Sequence, residues 1–128
     1  AGRTSNKDIA RKLDVSEGTI RNRIARLIDN EYLLVKGLID PDKNPDYQLV
    51  ILGATVAVSS NLRSPAAAIQ KMPYVKSVSI VTGRYDLLIE VFLPNHELIT
   101  FISDHLSKDG SVVSTESFVA MESAGKWL

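Results

Sequence analysis

Four side chains that read or grip nucleic acid are crowded into six residues: Arg21, Asn22, Arg23 and Arg26, with the hydroxyls of Ser16 and Thr19 just ahead of them. Arginine can donate two hydrogen bonds to the O6 and N7 of guanine, and asparagine can pair with the N6 and N7 of adenine. Both types also hold phosphates. Little acid beyond Glu17 opposes them. A second group with chemical potential is Thr82-Gly83-Arg84-Tyr85-Asp86. A tight turn of this kind, with glycine at positive φ, exposes backbone amides beside a guanidinium, a phenol and a carboxylate. Amides and Arg84 could take the carboxylate of a zwitterion, and Asp86 its ammonium.

The first group needs a helix to present it. Ile20, Ile24, Leu27 and Ile28 recur at the spacing of one helix face, which turns Thr19, Asn22, Arg23 and Arg26 to the other side. Ser16 stands at the N-cap. Upstream, Ser5 to Leu13 reads as a second short helix, again led by a serine, and only Asp14-Val15 separates the two. Helices joined so tightly must cross steeply. Ala10 permits the close approach while Val15 and Ile20 plug the angle, which predicts a helix-turn-helix whose second helix enters a major groove.

Charge is divided to match. Residues 1–36 carry eight Lys/Arg against five Asp/Glu, and the remainder seven against ten, although the whole is neutral. A basic head on an acidic body fits a nucleic-acid module joined to something else. The chain has 128 residues, 45% of them apolar, enough for a real core in one domain or two small ones. Without cysteine there is no disulfide framework and no thiolate metal site. Nothing reads as a signal peptide or a membrane span, so a cytoplasmic protein is expected, with no membrane partner.

A helix-turn-helix normally rests on a further helix, and none precedes this one, so the first helix of the DNA-binding domain is expected to be missing. Tyr32 to Ile39 is rich in strand formers and predicts a wing, or a strand leading out of the domain. Asp40 to Asp46 is turn chemistry and marks the boundary, giving domains over 1–40 and 47–128. Strands follow at Leu49–Ser59, Val75–Thr82, Leu87–Leu93 and Val112–Met121. One helix is capped by Ser64 with Pro65 at its first turn. Another, opened by Pro94-Asn95, aligns Leu98, Ile99, Phe101, Ile102 and Leu106 in one stripe. The order is βαββαβ, a ferredoxin-like α+β arrangement with both helices on one face of an antiparallel sheet. Dimerisation would cover the other face.

Enzymic chemistry has little support. His96 and His105 lie nine residues apart with no second ligand pair, so no metal is expected. No nucleophile motif surrounds a serine and no glycine loop cradles a phosphate, so no cofactor is expected either.

At this point the chain is similar to the Lrp/AsnC, or feast/famine, family of prokaryotic transcriptional regulators. The resemblance rests on Gly2 to Ala10, Val15 to Ile24, Ile39-Asp40-Pro41, Thr82 to Leu88 and Ser114-Thr115-Glu116-Ser117, and covers nearly the whole chain. It implies an N-terminal winged helix-turn-helix and a C-terminal ligand-binding domain of the RAM type. Members bind a double-stranded DNA operator, dimerise through their sheets and assemble into octamers. They take an amino-acid effector near the Gly-x-Tyr-Asp turn, which here is Thr82, Gly83, Arg84, Tyr85 and Asp86, with Thr115 and Ser117 as lesser candidates. Asn44-Pro45-Asp46-Tyr47 replaces the family's leucine-glycine hinge. Two other readings stay open. One is an amino-acid sensor without DNA binding. The other is a sirohaem decarboxylase-like subunit, which would need a basic, histidine-bearing macrocycle pocket that the second domain is poorly stocked to build.

Overall fold

The structure is a computed structural model that describes residues 5–128. Gly2, Arg3 and Thr4, which carry part of the resemblance, lie outside the described residues. Two compact units divide between Leu38 and Ile39.

The first unit holds helix α1, Asn6–Leu13, and helix α2, Glu17–Asp29. Ser5 caps α1 by accepting from the Asp8 N–H at 3.1 Å, and Ser16 caps α2 by accepting from Thr19 at 3.1 Å. The turn between them closes on Asp14, whose φ of 53° is left-handed, and on the Val15 N–H, which donates to the Ala10 carbonyl at 3.0 Å. Aspartate tolerates that region better than most residues without glycine's freedom. Ala10 and Ile20 are the buried residues of the pair.

The strand expected over Tyr32–Ile39 does not form. Residues 33–40 have no regular structure, and Tyr32 and Leu34 stand 82% and 74% exposed. Strand-forming side chains make a strand only beside a partner ladder, and none runs alongside. Tyr32 and Leu33 donate back to the Leu27 carbonyl at 2.8 and 3.1 Å, and Ile39 is tied at the other end. It donates to the Leu128 carbonyl at 2.7 Å and accepts from the Leu128 N–H at 2.9 Å.

The second unit is the expected βαββαβ. Strands β1 (Tyr47–Val56), β2 (Val75–Ile80), β3 (Leu87–Pro94) and β4 (Val112–Val119) form one antiparallel sheet in the order β2-β3-β1-β4. Helix α3, Arg63–Gln70, follows β1, and α4, Leu98–Phe101, follows β3. Side chains alternate across the sheet. One face sends Val50, Leu52, Ala54, Leu87, Ile89, Val91 and Leu93 against Ile69, Phe101 and Leu106 of the helical layer. The other face carries Leu49 and Phe92, and the segment after β4 folds back onto it. Leu128 packs on that pair, and Lys126 forms an ion pair with Glu90.

Two helix expectations are corrected. Ser64 does not cap α3: the helix begins at Arg63 with Leu62 at the cap position and no side-chain cap bond, while Asn61 Oδ1, just ahead, accepts from the Ser64 N–H at 3.3 Å. The second helix is not one regular stripe. After α4 it widens into a π turn over Ile102–Leu106, and Ile99 points outward at 82% exposure. At the far end of that turn, Ser111 donates its N–H and its hydroxyl to Asp109, holding that carboxyl below its ordinary range. The associated stability is present above the unfolded-state pKa and is lost as pH falls through the lowered one.

Candidate functional site

Helix α2 builds the first surface. With Ile20 buried, the 100° step per residue turns Asn22 to the far side, flanked by Arg21 and Arg26. Arg21, Asn22, Arg23 and Arg26 are all exposed. The caps change the roles of the two hydroxyls. Ser16 Oγ and Thr19 Oγ1 lie 2.7 Å apart, and Ser16 also holds the Thr19 amide. Ser16 and Thr19 therefore shape the first turn of α2, and their side chains are already engaged there. Glu17, outside the group singled out from the sequence, sits 3.7 Å from Arg21.

The turn between β2 and β3 builds the second surface. Gly83 has a φ of 111°, a region that L side chains rarely adopt. Thr82, Gly83 and Arg84 are exposed, and Arg84 makes no ion pair among the described residues. Tyr85 and Asp86 turn inward. The Asp86 N–H donates to the Ala54 carbonyl at 2.9 Å, and its Oδ2 accepts from the Val56 N–H at 3.0 Å. That carboxylate closes the end of β1, and its other oxygen makes no hydrogen bond among the described residues. Tyr85 lies flat over Gly53 of β1: a Cβ built on Gly53 would fall 2.6 Å from Tyr85 Cδ2.

Gly53→Ala should therefore force the ring off the sheet, at about 1–3 kcal/mol of overpacking. Thermal unfolding of Gly53→Ala, Tyr85→Ala and the double variant will show it. The double variant should recover most of the loss suffered by Gly53→Ala, and additive losses would mean that the ring is not held there.

Thr115 and Ser117 do not join this group. Thr115 pairs with Ala54 and Ser117 with Leu52, which puts both side chains on the helix-bearing face. Tyr85 covers Gly53 on the opposite face. Register decides this, since one step along a strand changes the face. The residue paired with Gly53 is Glu116. The contact between Gly53 and Tyr85 joins residues far apart in the chain, and its one local signal is a glycine inside an apolar strand.

Crevices are found elsewhere on this unit. One of ≈ 520 Å³ is lined by Tyr47, Tyr74, Lys76 and Phe92, among others, where Tyr47 and Phe92 stack at 5.2 Å. Another, of ≈ 230 Å³, meets the turn only through Val56. Among the described residues no group of three or more His, Cys, Asp or Glu could hold a metal ion, and His96 and His105 are exposed. No helix among those residues is long and apolar enough to cross a membrane.

Comparison with known proteins agrees with this layout. The profile described as the Lrp/AsnC ligand binding domain matches residues 49–126, and that described as winged helix-turn-helix DNA-binding matches residues 1–33. An uncharacterised HTH-type transcriptional regulator of Pyrococcus abyssi is 34% identical over 98% of this chain and 80% of its own. A counterpart in Pyrococcus horikoshii is 33% identical with the same coverage. Among solved structures, a Neisseria meningitidis transcriptional regulator in complex with L-Met superposes with a TM-score of 0.73 at 21% identity, covering 94% of this chain and 80% of that one.

Proposed function

The chain belongs to the Lrp/AsnC family of transcriptional regulators, and from that premise we propose that α2 reads an operator while the turn at Thr82–Asp86 holds a free amino acid. The operator half is carried by one observation. Burial of Ile20 leaves Arg21, Asn22 and Arg26 on the outer side of α2, with Arg23 exposed at its flank. Arg21 and Asn22 stand nearest the bases. Arg23 and Arg26, further along or around the helix, suit phosphates.

The effector half rests on charge. A free amino acid is a zwitterion, and a site that leaves either charge buried and unpaired is strongly disfavoured. Backbone amides around Gly83 and the unpaired Arg84 suit the carboxylate, and the second oxygen of Asp86 suits the ammonium. A regulator of this fold has been solved with L-Met, which supports an amino-acid ligand. Within one chain the turn is open to solvent on Thr82, Gly83 and Arg84. Small-molecule sites usually bury most of their ligand, so a neighbouring copy is proposed to complete the enclosure. The face carrying Leu49, Ile51, Leu88 and Phe92 offers a surface for pairing copies, and the segment ending at Leu128 covers only part of it. Octamers remain an implication of the resemblance.

Thermal shift across the twenty amino acids tests the effector site, because bound ligand raises stability by RT ln(1 + [L]/Kd), about 2.7 kcal/mol at a hundredfold excess over Kd. Asp86→Asn keeps an acceptor for the Val56 N–H but removes the charge. It should unfold near the wild-type temperature and show no amino-acid shift, with light scattering reporting the same dimer. Asp86→Ala should also lose about 1–3 kcal/mol, because it strands the Val56 amide. A shift that survives in Asp86→Asn would place the effector elsewhere.

A further inference from the structure

The recognition surface contains one residue that a simple affinity argument would not put there. Glu17 opens α2 on the stripe that Arg21 continues four residues later, and the two side chains meet at 3.7 Å while remaining 51% and 64% exposed. An exposed pair of this kind contributes little to helix stability. Beside phosphates a carboxylate is a handicap. Gly18, between them, has no side chain, and a Cβ built there would fall 3.9 Å from Arg21 Nη2 and 4.0 Å from Ser16 Oγ. The guanidinium thus lies along the first turn of α2, next to the carboxylate, and both groups are exposed. Ser16 and Thr19, the other polar groups of that turn, are occupied with each other.

We infer that Glu17 and Arg21 act as one unit that reads a G·C base pair, with Glu17 as a specificity-determining residue. This rests on α2 being the operator-reading helix. The major-groove edge of a G·C pair shows two adjacent acceptors, guanine N7 and O6, followed by one donor, the cytosine N4 amino group. A guanidinium beside a carboxylate is the complement of that row: Arg21 donates to both acceptors and Glu17 accepts from the amino group. An A·T edge alternates acceptor, donor, acceptor, so the same pair would set Glu17 or Arg21 against a like partner. The free-state contact between Glu17 and Arg21 holds the two groups side by side before DNA arrives. The carboxylate weakens the attraction of this turn for DNA of any sequence and in return rejects the wrong edge, which is how specificity is gained by disfavouring competitors.

The test uses the whole chain. Duplexes are first selected from a random library, and the chosen site is then changed one base pair at a time and titrated. Wild type should require G·C at one position of each half-site, with substitution by A·T weakening binding about ten- to hundredfold. Glu17→Gln should bind all duplexes at least as tightly as wild type does. Its discrimination at that one pair should fall about tenfold, and its unfolding temperature should stay unchanged. Arg21→Lys, which loses the planar two-pronged donor, should lose preference at the same pair. A merely structural Glu17 would move the unfolding temperature and not the base preference. Glu17→Gln with its preference intact, or Glu17 and Arg21 variants acting at different base pairs, overturns the inference while leaving the operator reading standing. A wild-type chain with no base preference at any position overturns both.

Discussion

The double variant Asn22→Ala, Arg26→Ala should bind its operator at least a hundredfold more weakly than wild type, and for two separable reasons. Asn22 lies diametrically away from the buried Ile20, where a helix seated in a major groove meets the base edges. Losing one bidentate base contact costs about 1–3 kcal/mol and relaxes the sequence requirement at a single position. Arg26, one turn further along, is the residue proposed to grip phosphate. Its loss should weaken binding to every sequence alike and reduce the slope of log K against log salt by about one. Titrations of the two single variants at several salt concentrations separate these effects. Both residues are exposed, whereas the core of the helix pair is Ala10 and Ile20, so circular dichroism should show both helices intact. Unchanged operator affinity in the double variant would remove α2 from the interface.

Phe101→Ala should be the most damaging single change in the ligand unit, at about 3–5 kcal/mol. Phe101 is 1% exposed and is the largest fully buried side chain. It belongs to one cluster with Leu52 of β1, Ile89 and Leu93 of β3, and Ile69 and Leu106 of the helical layer, so it joins that layer to the two central strands and fastens α4. The neighbouring π turn fixes the backbone on its C-terminal side, which limits how far the helix can settle into the void. Incomplete collapse is what raises such a cost above the transfer term. Urea unfolding should show a lower midpoint with an unchanged slope. A loss below about 1 kcal/mol would mean that α4 re-packs freely. His105, whose ring is tilted against Phe101 at 5.9 Å, is exposed, and its replacement by alanine gives a surface control.

Much of this architecture could be read from residue order. Serines at positions 5 and 16, each followed by apolar residues at helical spacing, were enough for both helices of the first unit, because caps and period are local signals. β1 and β3 were legible for a different reason. Strands in the middle of a sheet are covered on both sides, so Leu49 to Val56 and Leu87 to Leu93 read as apolar runs. Where a partner decides, local signals failed. Tyr32 to Ile39 has the composition of a strand, yet nothing offers it a ladder. Ser64 has the chemistry of a cap for α3, yet the helix starts one residue ahead of it, with Leu62 at the cap position. Ile99 was placed inward on the assumption of 3.6 residues per turn, which the π turn beside it does not keep. The effector-site candidates divide in the same way. The turn itself announced Gly83, whereas the face on which Thr115 and Ser117 lie depends on a register that no single segment encodes.

The reciprocal bonds between Ile39 and Leu128 have a consequence for motion. Ile39 is the first residue of the ligand unit, and Leu128 lies beyond its last strand, so the path of the chain through that unit closes on itself at one pair of amides. Fraying, which ordinarily begins independently at either extremity of a folded segment, cannot do so here. Releasing one residue forfeits both bonds of the other and uncovers Leu49 and Phe92 beneath Leu128. The ion pair of Lys126 with Glu90, two residues away, resists the same opening. Ile39 and Leu128 therefore loosen as a single event, and where the connecting chain enters is only as firm as the strap that crosses the sheet.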